Sequence, residues 1–132
     1  MKTILIIAAL IIIAYFSLSS SPLASPATDI SQDDFLARKQ SSNDYLLLDV
    51  RTEEEFAQGH IEGALNISHT EIINRLEDIP KDKDLIIYCR SGKRAGVAAK
   101  LLAKNGYKNL FHLDGDMNGW ISNQRPVSVD KN

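Results

Sequence analysis

The sequence predicts a single α/β domain built on a central parallel sheet with helices on both faces. Three observations carry that prediction. Two nearly continuous apolar runs, YLLLDV (Tyr45–Val50) and LIIYC (Leu85–Cys89), read as strands covered on both sides. Segments of helical period with legible capping signals lie between the apolar runs. The chain has 132 residues, enough for one hydrophobic core and not for two.

Residues 1–27 read as a leader and residues 28–132 as the domain. Lys2 precedes the apolar run TILIIAALIIIAYFSL, and the small, Pro-containing segment SSSPLASPA follows. This is the layout of a secretory signal, with Ser17-Leu18-Ser19 or Ser25-Pro26-Ala27 as small-x-small cleavage sites. The alternative is an uncleaved, tilted membrane anchor through residues 3–18. Either form places the domain outside the cytoplasm, in the periplasm or an equivalent compartment, with Lys2 kept inside.

Within the domain, Ser31 with Asp34 opens the first helical segment, and Thr52 with Glu55 opens the second after the Tyr45–Val50 strand. ALNIS (Ala64–Ser68) is a shorter strand candidate, and Ser68 with Glu71 repeats the capping spacing behind it. After Cys89 the segment AGVAAKLLAKNG reads as a helix with Val97, Leu101 and Leu102 inward, Lys100 and Lys104 outward, and Gly106 as its stop. NLFHL (Asn109–Leu113) is the last strand candidate, followed by a helix that contains Met117 and a core Trp120. No internal repeat or low-complexity segment interrupts this rhythm. In open α/β sheets ligands bind beyond the carboxyl ends of the strands. Cys89 and Asp49 stand at two such ends.

Composition narrows the function classes. Beyond Ala27, 14 basic and 17 acidic residues leave a net charge of −3, which offers no basic face for a nucleic acid. One cysteine excludes an intrachain disulfide. No cofactor and no metal are expected.

That cysteine sits in the loop CRSGKR, directly before a helix. The thiolate is the nucleophilic form, and an unperturbed thiol is only about 3% ionised at pH 7. Backbone N–H groups at a helix start, together with Arg90, Lys93 and Arg94, favour the ionised form. Gly92 supplies the positive φ a tight cradle needs, and Ser91 offers a hydroxyl donor. The bland alternative, a small buried hydrophobe at a strand end, does not account for three cations and a glycine in the next five residues. No histidine presents itself as a general base: His60 in QGHIEGA reads as a turn residue, His112 as a satisfied core residue, and His69 as a surface residue at a helix start.

Three stretches together resemble the rhodanese family of sulfurtransferases, and in style its small single-domain exported thiosulfate sulfurtransferases. LLLDVRTEEEFAQGHIEGALNI (Leu46–Ile67) resembles the first signature, IIYCRSGKRAGVAAKLLAKNGY the active-site strand, loop and helix, and NLFHLDGDMNGW the closing turn. The resemblance implies that the Cys89 thiolate takes the outer sulfur of thiosulfate as a persulfide and yields it to cyanide or a thiol, a two-step scheme. It also implies that the amides from Arg90 through Ala95 cradle the sulfur, that Arg90, Lys93 and Arg94 attract the anionic donor, and that Asp49 and Arg51 brace the loop from the neighbouring strand end; the plainer reading of Asp49 and Arg51 is a buried ion pair without direct catalysis.

Two alternatives stand beside that reading. One is a non-catalytic sulfur-carrier or partner-binding module. The other is a phosphatase or arsenate reductase, but those cradles place five residues between Cys and Arg, whereas four separate Cys89 from Arg94. The absence of an acid near the loop is expected to speak against phosphoryl-ester chemistry as well. One departure from the family pattern is Asp116, which follows Gly115 where the family has a second glycine. It is read either as a helix cap or as a carboxylate near the cationic lip.

Overall fold

The computed structural model describes residues 24–129, so the expected leader falls outside it save for its last four residues. The elements run β1 (Thr28–Ile30), α1 (Gln32–Ser41), β2 (Tyr45–Asp49), α2 (Glu53–Gln58), β3 (Leu65–Asn66), a 3-10 helix (Ile73–Asp78), β4 (Asp84–Tyr88), α3 (Lys93–Lys104), β5 (Leu110–Leu113) and α4 (Asp116–Ser122). The five strands form one parallel sheet in the order β1-β5-β4-β2-β3. The α/β expectation holds.

The two apolar runs are continuous because the sheet is covered twice. Side chains alternate across a strand, so Leu47, Ile86 and Tyr88 pack with Phe35 of α1 and with Met117 and Trp120 of α4. Leu48, Val50, Leu85, Ile87 and Cys89 point to the other face and pack with α3 and Ile72. β2 and β4 lie side by side at the centre of the sheet, with Asp49 paired to Tyr88. Their carboxyl ends therefore open side by side, which sets Cys89 next to the segment 49–51.

Local chemistry explains the helix starts that hold. Ser31 Oγ accepts from the Asp34 N–H, and Thr52 and Glu55 form both bonds of a capping box. At the far end of α3, Gly106 adopts φ +88° just past the cap. Ser68 and Glu71 behave differently. The Glu71 N–H is taken by the Ser68 carbonyl, Ser68 Oγ pairs with Thr70, and the 3-10 helix begins only at Ile73, with non-helical φ/ψ at Arg75. No side chain caps it.

Two further expectations are corrected. In α3 the buried stripe is Ala95, Ala98, Ala99 and Leu102, while Val97 is 42% exposed. The spacing of three and four residues from Ala95 leaves Val97 on the far side, and the alanines form the stripe that meets the sheet. The strand over 64–68 shrinks to Leu65–Asn66. β1 went unread because three residues carry no periodicity, yet it pairs Asp29 with His112.

Phe35 is fully buried and meets the Tyr45 ring edge-on at 5.6 Å. Phe35→Ala leaves a cavity on the face of the sheet away from Cys89 and should cost about 3–5 kcal/mol, read as a lower urea midpoint with an unchanged m-value.

Candidate active site

Cys89 follows β4 and is 1% exposed. Its backbone is held from both sides by the turn after β5. The Cys89 N–H donates to Asp116 Oδ1 at 3.0 Å, while the Cys89 and Arg90 carbonyls accept from Met117 N–H at 2.9 Å and Asn118 N–H at 3.1 Å. The chain then folds back so that the Gly92 N–H donates to Cys89 Sγ at 3.0 Å. Gly92 has φ +107°, a left-handed conformation that costs glycine nothing. The amides of Lys93, Arg94 and Ala95 belong to the first turn of α3, where the helix itself supplies no acceptor. The cysteine sulfur, an inward amide and the positive helix end thus converge.

The cations of the loop divide. Arg94 is clamped by Glu55 of α2 in a two-pronged pair, Nη1 to Oε1 at 2.6 Å and Nη2 to Oε2 at 3.0 Å. Arg94 holds the Glu55 carboxyl down to about 2, aided by the Thr52 contacts. Arg90 and Lys93 are exposed, and no ion pair engages either among the described residues. Ser91 is exposed at the tip, and the Ala95 side chain belongs to the core, leaving only its amide for the loop.

Asp49 and Arg51 form the expected buried ion pair, at 2.7 Å with side-chain exposures of 0% and 6%. Arg51 also donates to the Gly59 carbonyl at 2.7 Å, and its guanidinium lies 5.8 Å from the centre of the Tyr88 ring. The Tyr88 phenol, held protonated by burial and by the Asp49 charge beside it, accepts the Ile61 N–H. The pair therefore braces the end of β2 and the segment 59–61. The contact that reaches the cysteine loop from this side is Glu55, which the sequence showed only as a capping residue. Arg51, Glu55, Gly59, Arg90, Met117 and Ile121 border a cleft of about 350 Å³ beside the loop.

Two acids thus stand at the loop, against the expectation of none. Asp116 is 2% exposed and opens α4 with φ +54°, while Gly115 before it holds the cap position with no side-chain cap bond. A left-handed non-glycine residue costs about 1–2 kcal/mol. Charge-assisted bonds from the Cys89 N–H and from His112 offset that cost, at about 1.5–3 kcal/mol each. A position with this backbone is one that favours glycine.

His112, expected as a core residue, is partly buried at the same place, with its side chain 25% exposed. Its Nε2 lies 2.9 Å from Asp116 Oδ2 and its Nδ1 3.2 Å from Asp29 Oδ1. Asp116 chiefly, with Asp29, raises its pKa to about 9 against the opposing effect of burial. One atom each from Asp29, His112 and Asp114 falls within 4.8 Å, with both carboxylates exposed, so the group is the outer end of this hydrogen-bonded chain. His60, expected in a turn, instead pairs its backbone with Ser128 in an isolated antiparallel bridge; its ring stacks on Phe56 and is bonded to the Phe56 carbonyl. His69 is partly buried with an unpartnered Nδ1, not a surface residue.

Comparison with known proteins identifies the family and the fold. Residues 31–123 match the Rhodanese-like domain family. A sulfurtransferase of Allochromatium vinosum is 37% identical over 99 residues, which span 75% of this chain and 92% of that protein. The thiosulfate:glutathione sulfurtransferase of Saccharomyces cerevisiae is 39% identical over 58% of this chain and 65% of its own length, just under two thirds. The crystal structure of a rhodanese-related protein from Thermoplasma volcanium superposes with a TM-score of 0.70 at 26% identity, covering 78% of this chain and 99% of that one.

His112 also sets a stability test. Its pKa is raised from the ordinary 6.5 to about 9 on folding, so its stabilisation is complete below about pH 6.5 and is lost as pH rises through about 9. The amount is about 3 kcal/mol. Thermal unfolding should show the wild-type Tm falling between pH 6.5 and 9.5 relative to His112→Gln, the two curves converging at the alkaline end.

Proposed function

The chain belongs to the rhodanese-like family, and on that premise we propose that it is a sulfurtransferase that moves the outer sulfur of thiosulfate to a thiophilic acceptor, cyanide or a thiol, through a persulfide on Cys89. The observation that carries this reading is the Gly92 N–H directed at Cys89 Sγ at the head of α3.

In the first step the thiolate attacks the outer sulfur. A Cys–S–S⁻ bond forms, the sulfur–sulfur bond of the donor breaks, and sulfite leaves with the electron pair. In the second, the acceptor anion attacks the terminal sulfur, and Cys89 leaves as thiolate. No net redox change or external proton is needed. The loop amides bind the sulfur that carries negative charge in both states, and their fixed orientation avoids reorganisation at the moment of transfer. Exposed Arg90 and Lys93 draw the dianion toward the loop. The four-residue spacing from Cys89 to Arg94 suits one transferred sulfur better than a tetrahedral oxyanion. Arg94, already held by Glu55, shapes the ring and is not a free donor-binding cation. The leader read in residues 1–27 would place this reaction outside the cytoplasm.

Wild-type protein given excess thiosulfate should gain the mass of one sulfur atom and lose it on addition of cyanide with release of thiocyanate. Cys89→Ser should do neither. An unmodified Cys89 would defeat the proposal, and sulfur uptake without turnover on any small acceptor would favour a carrier module. Activity on an aryl phosphate exceeding sulfur transfer would favour a hydrolase.

A further inference from the structure

Asp116 puts a buried carboxylate where an anionic site tolerates it least. Its Oδ2 lies 3.1 Å from where a Cβ on Gly92 would stand, and His112 Nε2 lies 3.6 Å from that point. Gly92 is the residue whose N–H holds Sγ. Sulfur, Gly92, Asp116, His112 and Asp29 are thus stacked in order from the loop to the edge strand β1. Uncompensated, the carboxylate would oppose both the sulfur anion and an incoming dianion across a short, poorly solvated path.

We propose that His112 is a positioning residue for sulfur loading, its imidazolium neutralising Asp116 beneath the cysteine loop so that an anionic donor can be taken. The inference rests on the sulfur-transfer reading above. Among the described residues, His112 is the cation paired with Asp116. The titratable groups that face His112 are carboxylates: Asp29 from β1, Asp114 from the β5–α4 turn and Asp116 from α4, with Gly92 on the loop above. Nothing else in this cluster can replace its charge. Loss of that proton leaves the Asp116–His112 pair with a net negative charge under the cradle, while the Cys89 N–H bond to Asp116 stays in place. The effect is therefore on charge and not on loop shape.

The pair makes a prediction that a purely structural role does not. His112→Gln keeps an N–H donor for Asp116 but removes the charge. Measured as sulfur uptake from thiosulfate by rapid quench and intact mass at pH 7, it should raise the half-saturating thiosulfate concentration about tenfold with a little-changed limiting rate. Asp116→Asn keeps the acceptor for Cys89 and suits a left-handed residue. The double variant His112→Gln/Asp116→Asn should recover donor affinity to within about threefold of wild type. The ratio of wild-type to Asp116→Asn uptake rates at limiting thiosulfate should fall as pH rises through about 9, where His112 releases its proton. Unaltered donor affinity in His112→Gln overturns the inference, as does a double variant as weak as the single one. Should His112→Gln fail to fold, the pH profile decides, and a constant ratio across pH 7–10 overturns it. Wild-type protein that takes no sulfur at all overturns the sulfur-transfer reading and this inference together.

Discussion

Both backbone groups of Cys89 are held by the first turn of α4: its N–H by the Asp116 carboxylate and its carbonyl by the Met117 N–H. The rest of the site depends on this clasp. A loop residue fixed at both ends of its peptide leaves the side chain as the main free variable, and the Gly92 amide then fixes the sulfur as well. Because α4 starts at the end of β5 and Cys89 at the end of β4, the clasp is possible only with those strands adjacent and in parallel register. Sheet order therefore builds the active loop.

The same strand ends carry a second constraint that acts on stability. Burying Asp49 with Arg51 removes two charges from water, and such a pair rarely contributes net stability over apolar residues of equal volume. What it provides here is satisfaction of otherwise orphaned groups. Arg51 serves the Gly59 carbonyl, Asp49 serves the Arg51 amide, and Tyr88 serves the Ile61 amide. The segment between α2 and β3 is held through these polar contacts, which positions α2 and with it Glu55.

What could be read from the chain follows a physical division. Continuous apolar runs revealed β2 and β4 because burial on two faces leaves no polar alternation, and the Ser31 and Thr52 caps were legible because their partners lie three residues away. Cys89, Gly92 and the loop length were likewise local. The pairing of Arg94 with Glu55 spans 39 residues and that of His112 with Asp29 spans 83, and no spacing rule reaches so far. His112 stands inside a short apolar run, where a histidine resembles a core residue, and only the pairing of β1 with β5 brings Asp29 beside it. Val97 was misplaced for a different reason: the larger side chain was assumed to face inward, whereas alanines form the stripe toward the sheet.

The distribution of charge around the loop links these points. The sequence offers three cations beside one thiol, which suggests simple attraction. In the folded chain Glu55 occupies Arg94, one of those three, and Asp116 engages His112. The sulfur is instead met by the oriented Gly92 amide, whose dipole is fixed and costs no counter-ion to desolvate. On the sulfur-transfer reading proposed above, exposed Arg90 and Lys93 act at longer range on the approach of a dianion, and salt weakens that attraction. Steering and stabilisation are thus carried by different groups. On the same reading, the carboxylate that Asp116 places beneath the loop is offset by the imidazole that β5 presents 2.9 Å away at His112.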